Sequence, residues 1–312
     1  MPVDLQITLG NITLQNPVLV AAGTLGYGLE FQRALRLDQL GGVIIKTITR
    51  QPKAGNPPPR LVETPSGMLN SVGLQNVGLE AFLAQKLPEL AHLAVPVIVS
   101  ILDETPEGLA EMVGRLDQAQ GVAAIELNLS CPNVHDRSGL HLMVSQDPAA
   151  TEAMVKAARA CTRKPLIAKL SPDVTDPRPI AQAAERAGAD MLALTNTFTG
   201  MSLDPRTRRS RLGSMTGGLS GPAIRPLSVY RVWLVHQVVR CPLIGLGGIV
   251  QAEDAIEFFL AGASAVAIGT ANFADPRAPV KILKDLTRLL ERQGVNSLQA
   301  LVGAVEPHAS RP

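Results

Sequence analysis

Eight short apolar runs, each bounded by Gly, Pro or polar residues, constrain the fold of this 312-residue chain more than any other feature. They are rich in Val, Ile, Leu and Ala, the composition expected of strands that are buried on both faces of a parallel sheet. Aromatic residues make up only 3% of the chain, so these aliphatic side chains must fill the core. The runs cover residues 18–22, 43–46, 97–101, 124–129, 166–170, 191–195, 243–246 and 265–268.

Stretches with apolar residues at helical spacing separate most of these runs. The clearest are 106–118, 148–160, 177–187, 222–239 and 252–261, and the first four begin with Pro, which suits the first turn of a helix. Alternating strands and helices predict a parallel sheet. Eight repeats favour closure into a (β/α)8 TIM barrel, with an open doubly wound sheet as the alternative. No shift in composition marks a second domain, so we predict one domain over residues 1–312.

Segments outside the eight repeats predict features at both ends of the barrel. Residues 5–8 and 12–14 alternate around a Gly-Asn turn, which indicates an N-terminal β-hairpin. Two connections are long: residues 47–77 are rich in Pro, Gly and Asn, and residues 196–221 are rich in Gly, Ser and Arg. Long loops after barrel strands are usually functional, so we expect both at the C-terminal mouth.

Charge and cysteine content exclude several function classes. The net charge of +2 does not favour a nucleic-acid partner, and we interpret the Arg-rich segment 206–211 as a solvated loop, with RNA binding as the alternative. Residues 1–10 lack a signal-peptide pattern, and no apolar run approaches the ~18 residues of a membrane span. The three cysteines are far apart and the five histidines lack ligand spacing, which predicts no disulfide and no metal site. These features together predict a cytoplasmic protein.

Polar residues follow the predicted strands at the end where a barrel carries its active site. Lys46 and Lys169 end two strands, and because lysine is rarely buried unpaired, we expect both ammonium groups to face the mouth. There they could hold a carboxylate or stabilise negative charge on a reduced flavin; a salt bridge is the alternative. The pairs Gly247-Gly248 and Gly269-Thr270 follow the last two strands, where barrels bind phosphate through backbone N–H groups, although ordinary turn glycines are the alternative.

A cysteine and several asparagines complete the predicted mouth. Cys131 lies in a loop just after the fourth strand, where a thiol near cationic groups can act as a base. A buried structural thiol is the commoner case and describes Cys161 and Cys241 better. Amide side chains suit a cyclic imide with alternating C=O and N–H groups, with turn formation as the alternative for each. The amides in question are Asn70, Asn128, Asn133 and Asn196.

Four motifs together resemble the class 1 dihydroorotate dehydrogenases. They are Asn-Leu-Ser-Cys-Pro-Asn at 128–133, Asn-Ser-Val-Gly-Leu-Gln-Asn at 70–76, Lys-Leu-Ser-Pro at 169–172 and Gly-Gly-Leu-Ser-Gly-Pro-Ala at 217–223. The similarity runs in order from the N-terminal hairpin to about residue 301. It implies oxidation of (S)-dihydroorotate to orotate in de novo UMP biosynthesis, with one FMN per chain. In this family the residue at Cys131 removes a proton from C5 while a hydride leaves C6 for the flavin.

The same resemblance implies the binding residues. Substrate-contacting positions of the family correspond to Lys46, Asn70, Val72, Gly73, Leu74, Asn128, Asn133, Asn196 and Thr197. Cofactor-contacting positions correspond to Ala22, Lys46, Thr47, Ser100, Asn128, Lys169, Thr195, Gly221, Gly247, Gly248, Gly269 and Thr270. Three of these depart from the family pattern, because Ala22, Ser100 and Thr195 stand where Ser, Asn and Ile are common.

Segments 63–70 and 262–273 resemble class 1B more than class 1A. Class 1B implies a partner subunit that carries FAD and a [2Fe–2S] cluster and passes electrons to NAD+, in a heterotetramer built on a homodimer. Three cysteines are too few to ligate such a cluster in this chain itself. Two alternatives stay open: a class 1A-like homodimer that uses fumarate, and another FMN barrel such as a dihydrouridine synthase-like enzyme.

Overall fold

Eight parallel strands form a closed barrel in the computed structural model, which describes residues 3–28, 30, 35–130 and 143–307. Each strand pairs with the next, and the last pairs with the first through Val266 and Val18, which closes the sheet. The (β/α)8 prediction is therefore confirmed, and the open-sheet alternative is wrong. The strands are β1 Val18–Val20, β2 Gly42–Ile44, β3 Val97–Leu102, β4 Ala124–Asn128, β5 Leu166–Lys169, β6 Met191–Leu194, β7 Leu243–Gly245 and β8 Ala265–Ile268.

The five predicted helices are present, and two of them begin with a side-chain cap of the usual kind. Thr105 Oγ1 accepts a hydrogen bond from Gly108 N at 3.1 Å, and Asp147 Oδ1 accepts one from Ala149 N at 2.7 Å. The main helices are α1 Pro106–Asp117, α2 Pro148–Ala160, α3 Arg178–Arg186, α4 Arg225–His236, α5 Ala252–Leu260 and α6 Ala278–Arg292.

Several shorter helical pieces, and α6, have no counterpart in the sequence predictions. A 3₁₀ turn, Pro222–Ile224, precedes α4, so the predicted helix 222–239 is shorter than expected. Among the residues described, no helix combines the length and apolar character that a membrane span requires. The other short pieces are Leu37–Gln39, Leu79–Ala81, the π-helical Phe82–Lys86, Leu87–Leu90, Val144–Gln146, Ala271–Ala274 and Leu298–Leu301.

Alternate side chains of each barrel strand divide the core into an inner and an outer cluster. Ile44, Ala124 and Ile167 pack inside the barrel, whereas their chain neighbours pack between the barrel and the helices. The N-terminal hairpin, Ile7–Leu9 with Ile12–Leu14, adds Leu9 and Leu14 to the inner cluster. This confirms the predicted hairpin. Apolar packing inside the barrel leaves the C-terminal mouth as the end where polar groups gather.

The two long connections pair with each other in a four-stranded antiparallel sheet at the mouth. The sheet runs in the order Phe198–Gly200, Gly217–Ser220, Gly67–Asn70 and Leu61–Thr64. Short strands Ile48–Thr49, Leu203–Asp204 and Arg209–Ser210 lie in the same connections. The predicted position of these long segments is correct. Their strand pairing was not predicted, because Asn70 and Gly218 are 148 positions apart in the chain.

Candidate active site

One cleft at the C-terminal mouth gathers most of the predicted site residues. The strand ends supply polar side chains and glycines, and the four-stranded sheet adds Leu61 and Met68 beside Asn70. No local sequence pattern marks these two apolar residues, since only the pairing of distant segments brings them here. The predicted residues that line the cleft are Ala22, Lys46, Thr47, Asn70, Val72, Gly73, Leu74, Asn128, Lys169, Thr195, Asn196, Thr197, Gly247, Gly248, Gly269 and Thr270.

Two lysines bring positive charge to the cleft. Lys169 ends β5, is only 5% exposed, and its ammonium makes no hydrogen bond or ion pair with any residue that the structure describes. Lys46 follows β2 and lines the same cleft. The salt-bridge alternative therefore does not apply to Lys169 within the described residues. A buried cation of this kind suits an anionic or electron-rich ligand group.

Hydrogen bonds between the ends of alternate barrel strands orient the amides that line the cleft. Asn128 Nδ2 donates to Thr47 Oγ1 at 3.2 Å, and the Thr47 and Ser100 hydroxyls are 3.0 Å apart. Asn196 Nδ2 donates to the Ser130 carbonyl at 2.6 Å. Ser100 is fully buried and does not line the cleft, so it supports Thr47 from behind. Ser100 is therefore linked to the cleft only through the Thr47 hydroxyl.

Cys131 and Asn133 lie outside the described residues. Ser130, the residue before Cys131 in the chain, is buried, and its hydroxyl donates to the Lys169 carbonyl at 3.3 Å. Burial, and then the charge of Glu185, raises the pKa of Cys241 to about 12. This thiol is therefore protonated at neutral pH, but Cys241 and Cys161 are only partly buried, whereas the sequence interpretation had both as buried.

The Gly247-Gly248 loop packs too closely for any side chain. Both glycines have positive φ, 133° and 78°. A Cβ on Gly247 would lie 2.2 Å from Ser228 Oγ, and one on Gly248 would lie 2.7 Å from the Gly221 carbonyl oxygen. Gly221 does not line the cleft and instead backs this loop. The backbone N–H groups of such a loop can approach a phosphate closely.

A buried carboxylate behind this loop was missed by the sequence analysis. Asp254, in the first turn of α5, is 1% exposed, and its Oδ2 accepts from Val250 N at 2.8 Å and Gln251 N at 3.1 Å. Arg225 forms an ion pair with the other oxygen of Asp254. An acidic residue three positions into a helix is a capping signal that could have indicated this role. The pair fixes the entry to α5 and therefore the glycine loop before it.

The donor set fits the FMN that the resemblance implies. Glycine backbone at the ends of β7 and β8 suits the phosphate, and the buried Lys169 suits the flavin ring. Asn70, Asn128 and Asn196 line the same cleft, and amide side chains of this kind suit a second, smaller polar ligand. Among the described residues, no group of three or more His, Cys, Asp or Glu side chains is arranged to bind a metal ion.

Comparisons with known proteins agree with this geometry. The family model described as dihydroorotate dehydrogenase matches residues 4–290. The catalytic subunit of dihydroorotate dehydrogenase B (NAD+) from Desulforudis audaxviator is 52% identical over 304 residues, covering 97% of this chain and 98% of that protein. The protein of the same name from Pelobacter propionicus is 50% identical over 306 residues, covering 98% and 100%. A crystal structure of the Eimeria tenella dihydroorotate dehydrogenase with ferulenol matches with a TM-score of 0.79 at 25% identity, covering 96% of this chain and 88% of that one.

Proposed function

Because the chain belongs to the dihydroorotate dehydrogenase family, we propose that its cleft binds FMN and (S)-dihydroorotate together and that Cys131 is the base. The chain is an oxidoreductase that converts dihydroorotate to orotate in de novo pyrimidine biosynthesis. The observation that carries the assignment of the site is the meeting of buried Lys169, three asparagines and two glycine loops in one cleft.

The two glycine loops would hold one FMN per chain. Gly247, Gly248, Gly269 and Thr270 bind its phosphate through backbone N–H groups, supported from behind by Gly221. Side chains and backbone at the other strand ends would hold its ring: Ala22, Lys46, Thr47, Asn128, Lys169 and Thr195, with Ser100 acting through Thr47. When bound, FMN supplies the acceptor for the hydride that leaves C6 of the substrate.

The remaining polar groups would bind dihydroorotate. Lys46 offers positive charge for the substrate carboxylate, and the amides match the alternating C=O and N–H groups of the ring. The sheet segment that contains Asn70 and the turn after it form one wall of this part of the cleft. The proposed substrate residues are Lys46, Asn70, Val72, Gly73, Leu74, Asn128, Asn133, Asn196 and Thr197.

Cys131 would remove the proton from C5 of the substrate. The electron pair of that C–H bond forms the C5–C6 double bond of orotate, and the thiol then releases its proton to solvent. Support comes from the chain just before it, because Asn196 holds the Ser130 carbonyl at the cleft. A thiol held close to the lysine ammonium groups that line the cleft would be favoured in the thiolate form that a base requires.

Anaerobic bleaching of the flavin by dihydroorotate tests this proposal. Cys131→Ala should retain FMN but lose flavin reduction by roughly two to four orders of magnitude, the usual contribution of a positioned base. Cys241→Ala, which removes a partly buried thiol that does not line the cleft, is the matched control and should bleach as the wild type does. Bleaching of Cys131→Ala at the wild-type rate would remove the thiol from the mechanism. If the purified protein cannot bind FMN, the proposed cofactor is wrong.

Electrons would leave this chain through a second subunit. The relatives that share 50–52% sequence identity with this chain are named as catalytic subunits of dihydroorotate dehydrogenase B (NAD+), and this name supports a separate partner subunit. We propose that the partner carries FAD and a [2Fe–2S] cluster in a cytoplasmic heterotetramer built on a homodimer, with residues 1–312 forming one barrel domain per catalytic chain. Co-purification with an iron–sulfur flavoprotein and NAD+ reduction would support this assembly. Fumarate-dependent turnover by the isolated chain would favour the class 1A alternative.

A further inference from the structure

A carboxylate without a partner lies inside the barrel, below the proposed flavin site. Glu126 of β4 is fully buried, and neither of its side-chain oxygens has a hydrogen-bond partner among the described residues. Buried carboxylates are normally paired or hydrated, because an unpaired charge in an apolar interior is strongly unfavourable. Since no described side chain or backbone group hydrogen-bonds to the Glu126 carboxylate, another group is needed to stabilise this buried carboxylate.

Strand alternation places the Glu126 side chain just beneath the cleft. Ala124 belongs to the inner cluster and Asn128 lines the cleft, so Glu126, between them on β4, also faces the barrel interior. Its neighbours in register are Ser100 on β3 and Ile167 on β5. Glu126 thus lies one layer below Asn128, about 6.6 Å along the strand. The apolar inner cluster lies on its other side.

Lys169 carries the opposite charge in the next layer up. It is in register with Asn128 and two residues after Ile167, so it also faces inward. Its ammonium, like the carboxylate of Glu126, has no partner among the described residues. The two groups form no direct ion pair. A single water molecule can bridge two polar atoms about 4.5 Å apart, through two hydrogen bonds of about 2.8 Å each that meet at a near-tetrahedral angle.

We propose that Glu126 is a positioning residue for Lys169 and that a buried water bridges the two side chains. The bridge holds the ammonium group beneath the flavin ring and offsets part of its positive charge. Since negative charge near the ring disfavours the electron-rich reduced cofactor, Glu126 lowers the flavin midpoint potential relative to Lys169 acting alone. The effect on the flavin rests on the proposed function; the pairing of the two residues does not.

A double-mutant cycle on unfolding measures the pairing itself. Urea unfolding of the full-length protein as purified would compare Glu126→Gln, Lys169→Met and the double variant. Lys169→Met should lower the folding equilibrium constant about tenfold more when Glu126 is present than when Gln replaces it. Additive effects would overturn the pairing. The same cycle with Lys46→Met is the matched control, and coupling to Lys46 in place of Lys169 would also overturn the assignment.

The flavin midpoint potential measures the consequence for the cofactor. Glu126→Gln should raise it by about 30 mV, which corresponds to about a tenfold shift in the two-electron equilibrium. Glu126→Asp retains the charge and should restore most of the wild-type potential. Glu185→Gln removes a carboxylate that accepts from Arg240 N and Cys241 N before β7, at the opposite end of the barrel, and should leave the potential unchanged. A shift in Glu126→Gln no larger than in this control would overturn the proposal.

A third measurement applies if Glu126→Gln does not fold. A high-resolution crystal structure of the wild-type protein should show an ordered water within hydrogen-bond distance of both the Glu126 carboxylate and the Lys169 ammonium. An empty space between the two groups would overturn the proposal. Failure of the proposed function would look different, because wild-type flavin would then not be reduced by dihydroorotate, whatever the coupling between the two residues.

Discussion

Replacing Gly248 with Ala tests whether the shape of the glycine loop is what binds the FMN phosphate. The backbone at Gly248 has φ of 78°, and an added Cβ would meet the Gly221 carbonyl oxygen at 2.7 Å and Arg225 N at 2.9 Å. The Gly221 oxygen and the Arg225 nitrogen are backbone atoms, and the position of the added Cβ is fixed by the backbone of residue 248. The clash therefore cannot be relieved by a change of side-chain rotamer, and the loop has to move.

The expected magnitude has two parts. A non-glycine residue in the left-handed region costs about 1–2 kcal/mol, and overpacking adds about 1–3 kcal/mol, so Gly248→Ala should lose about 2–5 kcal/mol of unfolding free energy. Displacing the loop should also lose one hydrogen bond to a charged phosphate, about 1.5–3 kcal/mol. This corresponds to roughly a 10- to 150-fold weaker Kd for FMN.

Gly294→Ala is the matched control for the conformational part. Gly294 follows α6, has φ of 69°, and an added Cβ there would meet nothing within 4 Å. Gly294→Ala should therefore lose only the cost of the left-handed backbone conformation, about 1–2 kcal/mol of unfolding free energy, and should bind FMN as the wild type does. Urea unfolding and titration of flavin fluorescence measure the two quantities. The reasoning is refuted if Gly248→Ala is no less stable than Gly294→Ala and binds FMN as tightly.

Two further predictions concern the base and its anchor. Asn196→Ala removes the donor to the Ser130 carbonyl, so flavin reduction should slow roughly 10- to 100-fold in stopped-flow measurements while FMN affinity is unchanged; an unchanged rate would show that this bond does not position Cys131. Because the pKa of Cys241 is raised to about 12, its thiol stays protonated as pH rises through the neutral range, with a thiolate fraction of about 10⁻⁴ at about pH 8. Iodoacetamide should therefore label Cys131 well before Cys241, as followed by peptide mass spectrometry; equal labelling rates would contradict this.

Strand and helix periodicity predicted the barrel well because each unit is locally encoded. The eight apolar runs are all strands, and helix 148–160 has the predicted bounds. Proline at the first turn, preceded by Thr105 or Asp147 as the cap, marks a helix start within a few residues of sequence. Because the barrel strands are parallel, their C-terminal ends meet at one mouth of the barrel, and this does not depend on the conformation of the loops. The lining of the cleft by Lys46, Lys169 and the asparagines follows from that rule.

Local sequence patterns could not predict the contacts between segments that are distant in the chain. The sheet that joins residues 61–70 to residues 198–220 depends on pairing over more than a hundred positions, and nothing local marks Leu61 or Met68 as cleft residues. Ser100 illustrates a finer limit. The family resemblance implied a cofactor contact at Ser100, but this residue is fully buried, does not line the cleft, and lies within hydrogen-bond distance of the Thr47 hydroxyl.

The chain's own order of residues determined the barrel, the end of it that carries the site and the residue types available there, because strand and helix periods are properties of neighbouring residues. Only the tertiary structure decided which of these residues share a surface and that Gly221 backs the Gly248 loop. It also placed Glu126 one layer below Lys169, with no hydrogen-bond partner for its carboxylate in the part of the chain that the structure describes. Those relations depend on strand register and on side-chain reach across the barrel, and such distances arise only when the sheet closes.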